Sequence, residues 1–215
     1  MVKVMYLIEH FVNKYRFCSL QNLVINFPRV TKQDIKNACY FLMKKRRMFF
    51  YYKDNLPDDK IYCFSVQFNY QRQTEVFGNT EEAVKMALNF LGIFRRKYEI
   101  LYEEPSFFPT VIKYGYKNTE GHDVNAQIVY VPFSEGNAYA KHMGSLFDKT
   151  YDDTYNPVRF VIVESMAMLN NQVSVKEIYQ YIPNILLFVY LDKKKVHSRK
   201  MKTISYFPYD LGVGD

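Results

Sequence analysis

KKRRMFFYYKDNLPDDKIYCFS, Lys44 to Ser65, sets four cations against a block of aromatics, then an acidic turn, then a second apolar stretch. Met48 to Tyr52 and Lys60 to Val66 are dense in aromatic and β-branched residues and are joined by Asp, Asn and Pro, the composition of a two-stranded ribbon. Lys44 to Arg47 suit the end of a helix, where the backbone dipole favours positive charge. The stretch therefore reads as a helix end running directly into a hairpin.

Upstream, Val4, Leu7, Ile8, Phe11, Val12 and Tyr15 recur at three and four, the spacing of one helix face. Ser19 stands ahead of Leu20, Leu23, Val24 and Phe27 as the cap of a short second helix that Pro28 ends. Thr31 opens T-K-Q-D, a cap followed three residues later by an acid, and the third helix buries Ile35, Ala38, Cys39 and Leu42. Three helices and a hairpin make a winged helix-turn-helix whose third helix is built to lie in a major groove.

The other face of that helix carries Gln33, Lys36, Asn37, Tyr40 and Lys44, which can bond base edges and phosphates. Lys45, Arg46 and Arg47 extend it toward the phosphate backbone, with Lys53 and Lys60 assisting from the base of the wing. Asp54, Asp58 and Asp59 at the wing tip oppose insertion into a minor groove, so the helix is expected to dominate.

The charge distribution points the same way. The chain has 215 residues, 29 Lys and Arg against 22 Asp and Glu, and a net charge of +7. Twelve of the cations and five of the acids fall in residues 1–70, which leaves the remainder near neutral. One segment is thus suited to a polyanion and the other to a different task. No apolar run approaches the ~18 residues of a membrane span, and the first residues, with Glu9 among them, read as a helix and not as a signal peptide. Cys18, Cys39 and Cys63 stand far apart with no C-x-x-C pair, and His10, His122, His142 and His197 are scattered singly. Buried thiols, a cytoplasmic setting, and no metal or cofactor are expected.

Polar QFNYQRQTEVFGNT, with Gly78, marks a boundary, giving a first domain at 1–70, a linker at 71–79 and a second domain at 80–215. Thr80 caps a helix that Arg95, Arg96 and Lys97 close. Strands follow at Tyr98 to Tyr102, Thr110 to Tyr116 and Ala126 to Pro132, then a helix from Asn137 to Thr150. Pro157 to Glu164 reads as a strand, Val175 to Tyr181 as a helix, and Ile185 to Leu191 and Lys202 to Tyr206 as strands. DKKKVHSRK, Asp192 to Lys200, reads as a solvated loop. The whole is α+β, with a mixed α/β domain after the winged helix.

Neither a phosphate-binding loop, a dinucleotide fingerprint nor a nucleophile elbow occurs, so no small-molecule ligand is inferred. FPTVIKYGY, QIVYVPFSEG, a helical stretch with Lys141 and Tyr151, and VRFVIVES, after a winged helix, resemble the replication-relaxation proteins of plasmids and conjugative elements. The second domain of that family is similar to a restriction-endonuclease core. Such a nuclease needs two acids for Mg²⁺ and an E-x-K on the next strand. Here Thr110 follows Pro109, the next strand reads Gln127, Ile128, Val129, Tyr130, and Asp123 is the acid at hand. The resemblance therefore implies a core without its catalytic residues.

The expected activity is non-enzymatic binding of double-stranded DNA, as an accessory factor in replication, conjugation or transcription of a mobile element. A homodimer fits paired half-sites. The alternatives are a metal-dependent nuclease using Asp123 with Glu99, Glu103 or Glu104, and a winged-helix module that binds protein.

Overall fold

The computed structural model describes residues 2–53, 55–67, 77–132, 136–149, 157–170, 172–182, 184–192 and 195–199. Its contacts divide the chain into two compact units, Met1–Lys97 and Tyr98–Asp215.

In the first unit, helices α1 (Val2–Tyr15), α2 (Leu20–Asn26) and α3 (Lys32–Lys44) combine with strands β1 (Phe17–Ser19), β2 (Met48–Tyr51) and β3 (Tyr62–Ser65). The strands form an antiparallel sheet in the order β1-β3-β2. Ser19 and Thr31 cap α2 and α3, each accepting a bond from the backbone N–H three residues on. Ile35, Ala38, Cys39 and Leu42 turn inward against Ile8, Phe11, Val12 and Tyr15 of α1 and Leu20 and Leu23 of α2. Leu7, expected on the buried stripe of α1, is instead exposed. Strand β1 has three residues, too few for a period to show, so the sequence gives no sign that the sheet has a third member.

Helix α4 (Glu81–Phe94), expected to open the second domain, belongs to the first unit. Buried amides fasten it there. Asn22 Nδ2 donates to the Lys85 carbonyl at 2.8 Å and to Asn89 Oδ1 at 2.9 Å, while Asn26 Nδ2 donates to the Asn22 and Leu88 carbonyls. Gly92 permits the approach, since a Cβ there would lie 2.7 Å from Ile25 Cγ2. The boundary thus falls at 97/98 and not within 71–79, of which 71–76 lie outside the described residues.

The second unit is built on a mixed sheet of strands β4 (Ile100–Pro105), β5 (Thr110–Lys117), β6 (Asp123–Val131), β7 (Val158–Val163), β8 (Ile185–Asp192) and β9 (Lys195–Arg199), paired in chain order. β6, β7 and β8 are parallel neighbours and the other pairs are antiparallel. Parallel strands need crossovers, supplied by α5 (Gly136–Lys149) and by α6 (Met166–Asn170) with α7 (Gln172–Tyr181). One sheet face buries Val129, Val131, Val161, Val163, Ile185 and Phe188 beneath Met143, Phe147, Ile178 and Ile182. The opposite face holds Tyr114, Tyr116 and Phe160, all buried.

Two expectations change here. Residues 195–199 of the basic tract form a strand paired with β8 and not a loop, the last strand of the sheet among the described residues. The helix expected at Val175 starts at Gln172 and is preceded by α6. The strand expected at Lys202 to Tyr206 lies outside the described residues. The architecture is mixed α+β, helices with a small antiparallel sheet and then a larger mixed sheet. Among the described residues no helix is long and apolar enough to cross a membrane.

Candidate nucleic-acid interface

Helix α3 turns 100° per residue, so Gln33, Tyr40, Lys44 and Asn37 fall on one stripe opposite the buried residues, with Lys36 at its margin. Gln33, Asn37 and Lys44 are exposed, and Lys36 and Tyr40 are half-buried. Gln33 Nε2 donates to Asn37 Oδ1 at 3.0 Å, which orders both amides before any partner arrives.

Lys36 and Tyr40 are held by the hairpin. The Lys36 ammonium stands 4.9 Å from the Tyr52 ring centroid, and the Tyr40 ring packs edge-on against Phe50 and Tyr52 at 5.1 and 5.4 Å. A ring face attracts a cation without cancelling its charge, so Lys36 is aimed but remains positive. Tyr40 is therefore as much a packing residue as a surface one. Lys32 Nζ reaches Asp58 Oδ2 at 2.7 Å, joining the start of α3 to the short 3-10 turn Asp58–Lys60. That pair offsets one of the acids expected to repel DNA, while Asp54 lies outside the described residues.

At its other end α3 closes with two reversed hydrogen bonds, Arg46 N–H to the Met43 carbonyl and Arg47 N–H to the Leu42 carbonyl, both 2.9 Å. This closure puts Arg46 in the left-handed region at φ 55°, a position that glycine ordinarily fills. An arginine costs about 1 kcal/mol there. Lys44, Lys45, Arg46 and Arg47 are all exposed. Lys45 sits 5.5 Å from the Phe41 ring centroid, and Arg47 Nε pairs with Glu9 Oε1 of α1 at 2.9 Å. Lys53 and Lys60 are exposed beyond Tyr51↔Tyr62, at the end of the hairpin near the start of α3.

The ten expected residues thus fall along α3 in two groups. Gln33, Lys36 and Asn37 with the hairpin lysines lie toward one end and Lys44 to Arg47 at the other, with Tyr40 between them and ~16 Å of helix rise from Gln33 to Lys44. Tyr52, Lys32 and Glu9 complete the surface, and sequence reasoning missed them because each acts through a contact distant in the chain. Beneath it Cys18, Cys39 and Cys63 are buried, with 3.9 Å between the sulfurs of Cys39 and Cys63. The thiol contact and burial push Cys39 up, and burial followed by the Cys18 thiol pushes up Cys63, so both stay protonated.

The acids of the nuclease alternative do not converge. Asp123 pairs across the sheet with Lys117 and Glu104 with Lys113, four residues apart along β5 or ~13 Å. Glu103 pairs with Tyr114 on the other face, and Glu99, whose carbonyl accepts from the Lys117 N–H, lies on the far side of β5 from Asp123, two strand spacings or ~10 Å away. Among the described residues no three His, Cys, Asp or Glu form a group that could hold a metal ion. No family model, curated protein or solved structure matches this chain.

Proposed function

We propose that residues 2–65 form a winged helix-turn-helix that grips duplex DNA through α3, without catalysis. The observation that carries this reading is the exposed stripe of Gln33, Asn37 and Lys44, flanked by Lys36 and Lys45 to Arg47 and largely unopposed by acids. The amides would meet base edges, where Asn and Gln bond adenine in pairs. The cations would hold phosphates on either side, and Arg46 is kept at an energetic cost where glycine would fold more easily.

On this reading the second unit is a restriction-endonuclease-like core stripped of its acids, used for pairing or for binding a partner. The setting is the cytoplasm and the role an accessory one, in replication, conjugation or transcription of a plasmid or other mobile element. A dimer would place two α3 helices on two half-sites.

A filter-binding salt series on random-sequence duplex tests the reading. If four to six phosphates are neutralised, affinity should fall by roughly 10²–10³ between 50 and 200 mM salt. No retention at low salt would overturn it in favour of a protein-binding module.

A further inference from the structure

Among the described residues, strand β2 is one edge of the three-stranded sheet. Its alternation buries Met48 and Phe50 and turns Phe49 and Tyr51 outward, each 53% exposed. Two aromatic rings therefore stand on one face at alternate positions, ~6.8 Å apart along the strand. On β3 their cross-strand partners are Phe64 and Tyr62, and Phe64 packs on Phe17 of β1 at 5.2 Å. Among the described residues the outer face of the sheet is thus an aromatic floor, closed over β1, where α4 packs, and open over β2.

Edge strands are commonly protected by charges set among their exposed residues. Here the charges stand outside the strand, Lys44 to Arg47 before it and Lys53 after it, with no acid in residues 44–53. Among the acids nearby, Glu9 pairs with Arg47 at 2.9 Å, while Asp59 and, at the start of α4, Glu81 and Glu82 stand beside Tyr62, the last two partly answered by Lys85, whose Nζ lies 2.5 Å from Glu82. Two rings are too little apolar area for a stable protein interface, which needs about 800 Å² from each partner. A cationic surround selects a polyanion, and flat exposed rings select one that offers planar faces. Nucleic acid meets both conditions only where its bases are unpaired, because a duplex hides them in the stack.

We propose that Phe49 and Tyr51 stack on successive unpaired bases of a nucleic-acid strand, with Arg46, Arg47 and Lys53 on its phosphates. This deepens the duplex reading and rests on it. The preferred ligand is a duplex bearing a single-stranded tail, as at an opened or nicked site, rather than a blunt one.

The test is fluorescence polarisation of the full chain on a blunt duplex and on the same duplex with a six-nucleotide tail of DNA or of RNA. The tail should tighten binding about tenfold or more. Phe49→Ser with Tyr51→Ser should abolish that gain while leaving the blunt duplex unchanged, and Phe49→Tyr with Tyr51→Phe should keep it. If the serine pair fails to fold by circular dichroism, Phe49→Leu with Tyr51→Leu keeps the apolar character, removes the planes and should also lose the gain. The DNA and RNA tails identify which strand is taken. A tail that adds nothing to the wild-type chain overturns the platform and leaves the duplex reading standing, whereas failure to bind either ligand overturns both. Loss of a dimer in the serine variant with the tail preference intact would assign the face to a second copy of the chain and overturn the proposal.

Discussion

The two units set their surface charge differently. The first seals amides inside, with Asn22, Asn26 and Asn89 joining α2 to α4, buries Lys85 beside Glu82, and leaves the cations of α3 and the hairpin at the surface. The second also takes a cation inside: Arg159, 5% exposed, donates from Nε to Gln127 and lies 4.3 Å over the Phe147 ring. Its sheet lysines face acids, Lys113 opposite Glu104 and Lys117 opposite Asp123. Charge set across the strand register from an acid is partly offset, whereas charge gathered on one helix face with few acids to meet it is available to a partner. That contrast, more than the net charge of +7, singles out the first unit.

The largest effect expected from the contrast is in thiol chemistry. All three cysteines lie in the first unit, so alkylation reports its opening and not that of the second. Iodoacetamide should label the folded chain roughly a thousandfold or more slower than the unfolded chain, because the sulfurs are covered and held protonated. Fast labelling of one cysteine would show the core beneath α3 to be open. The same shifts set a pH dependence. Native pKa values raised above those of the unfolded chain mean that stability is complete below the ordinary thiol range and is lost as pH rises through it. The urea midpoint of the first unit should fall above about pH 8.5. The second unit, without cysteine, should hold until its tyrosines ionise; Tyr114, pushed up by burial, acts in the same direction at higher pH.

Next in size is the amide joint. Asn22→Ala removes both the side-chain arm of the α2 cap and two donors, leaving the Lys85 carbonyl and Asn89 Oδ1 short of a partner. The expected loss is about 3 kcal/mol from the first unit, read as labelling roughly a hundredfold faster. The second unit should melt unchanged. A matching fall in both would mean that the units unfold together and would break the comparison.

The sequence shows the first unit well because its signals are local. Ser19 and Thr31 stand at helix starts, Pro28 at a helix end, and the residues expected to be buried on α3 are buried. Helix α4 was misplaced because its period is correct but its partner is not in the pattern: amides 60 to 70 residues away decide which unit it joins. Similarly, the positions of Lys44 to Arg47 were legible, whereas the left-handed turn at Arg46 and the ring beneath Lys36 were not. In the second unit, Lys195–Arg199 read as a loop because a strand dense in charge lacks the apolar alternation by which strands are found.

The lysines test the contrast directly. Lys36→Ala with Lys44→Ala should weaken duplex binding tenfold or more and lower the salt slope by about two, without unfolding the chain. Lys113→Ala with Lys117→Ala removes the same charge from the second unit and should change affinity less than twofold. Equal losses from the two pairs would reduce the interface to net charge.

The smallest expected effect separates fold from function at one residue. Arg46 holds the left-handed position that closes α3, and glycine would adopt it without strain. Arg46→Gly should therefore stabilise the first unit by about 1 kcal/mol, less what the more flexible unfolded chain recovers. If Arg46 reaches a phosphate, the same change should weaken duplex binding several-fold. Opposite signs in the two measurements can arise only where a side chain is retained for something other than the fold. A variant that is more stable and binds equally well would show that the residue is simply tolerated there, and the interface would then begin at Lys45.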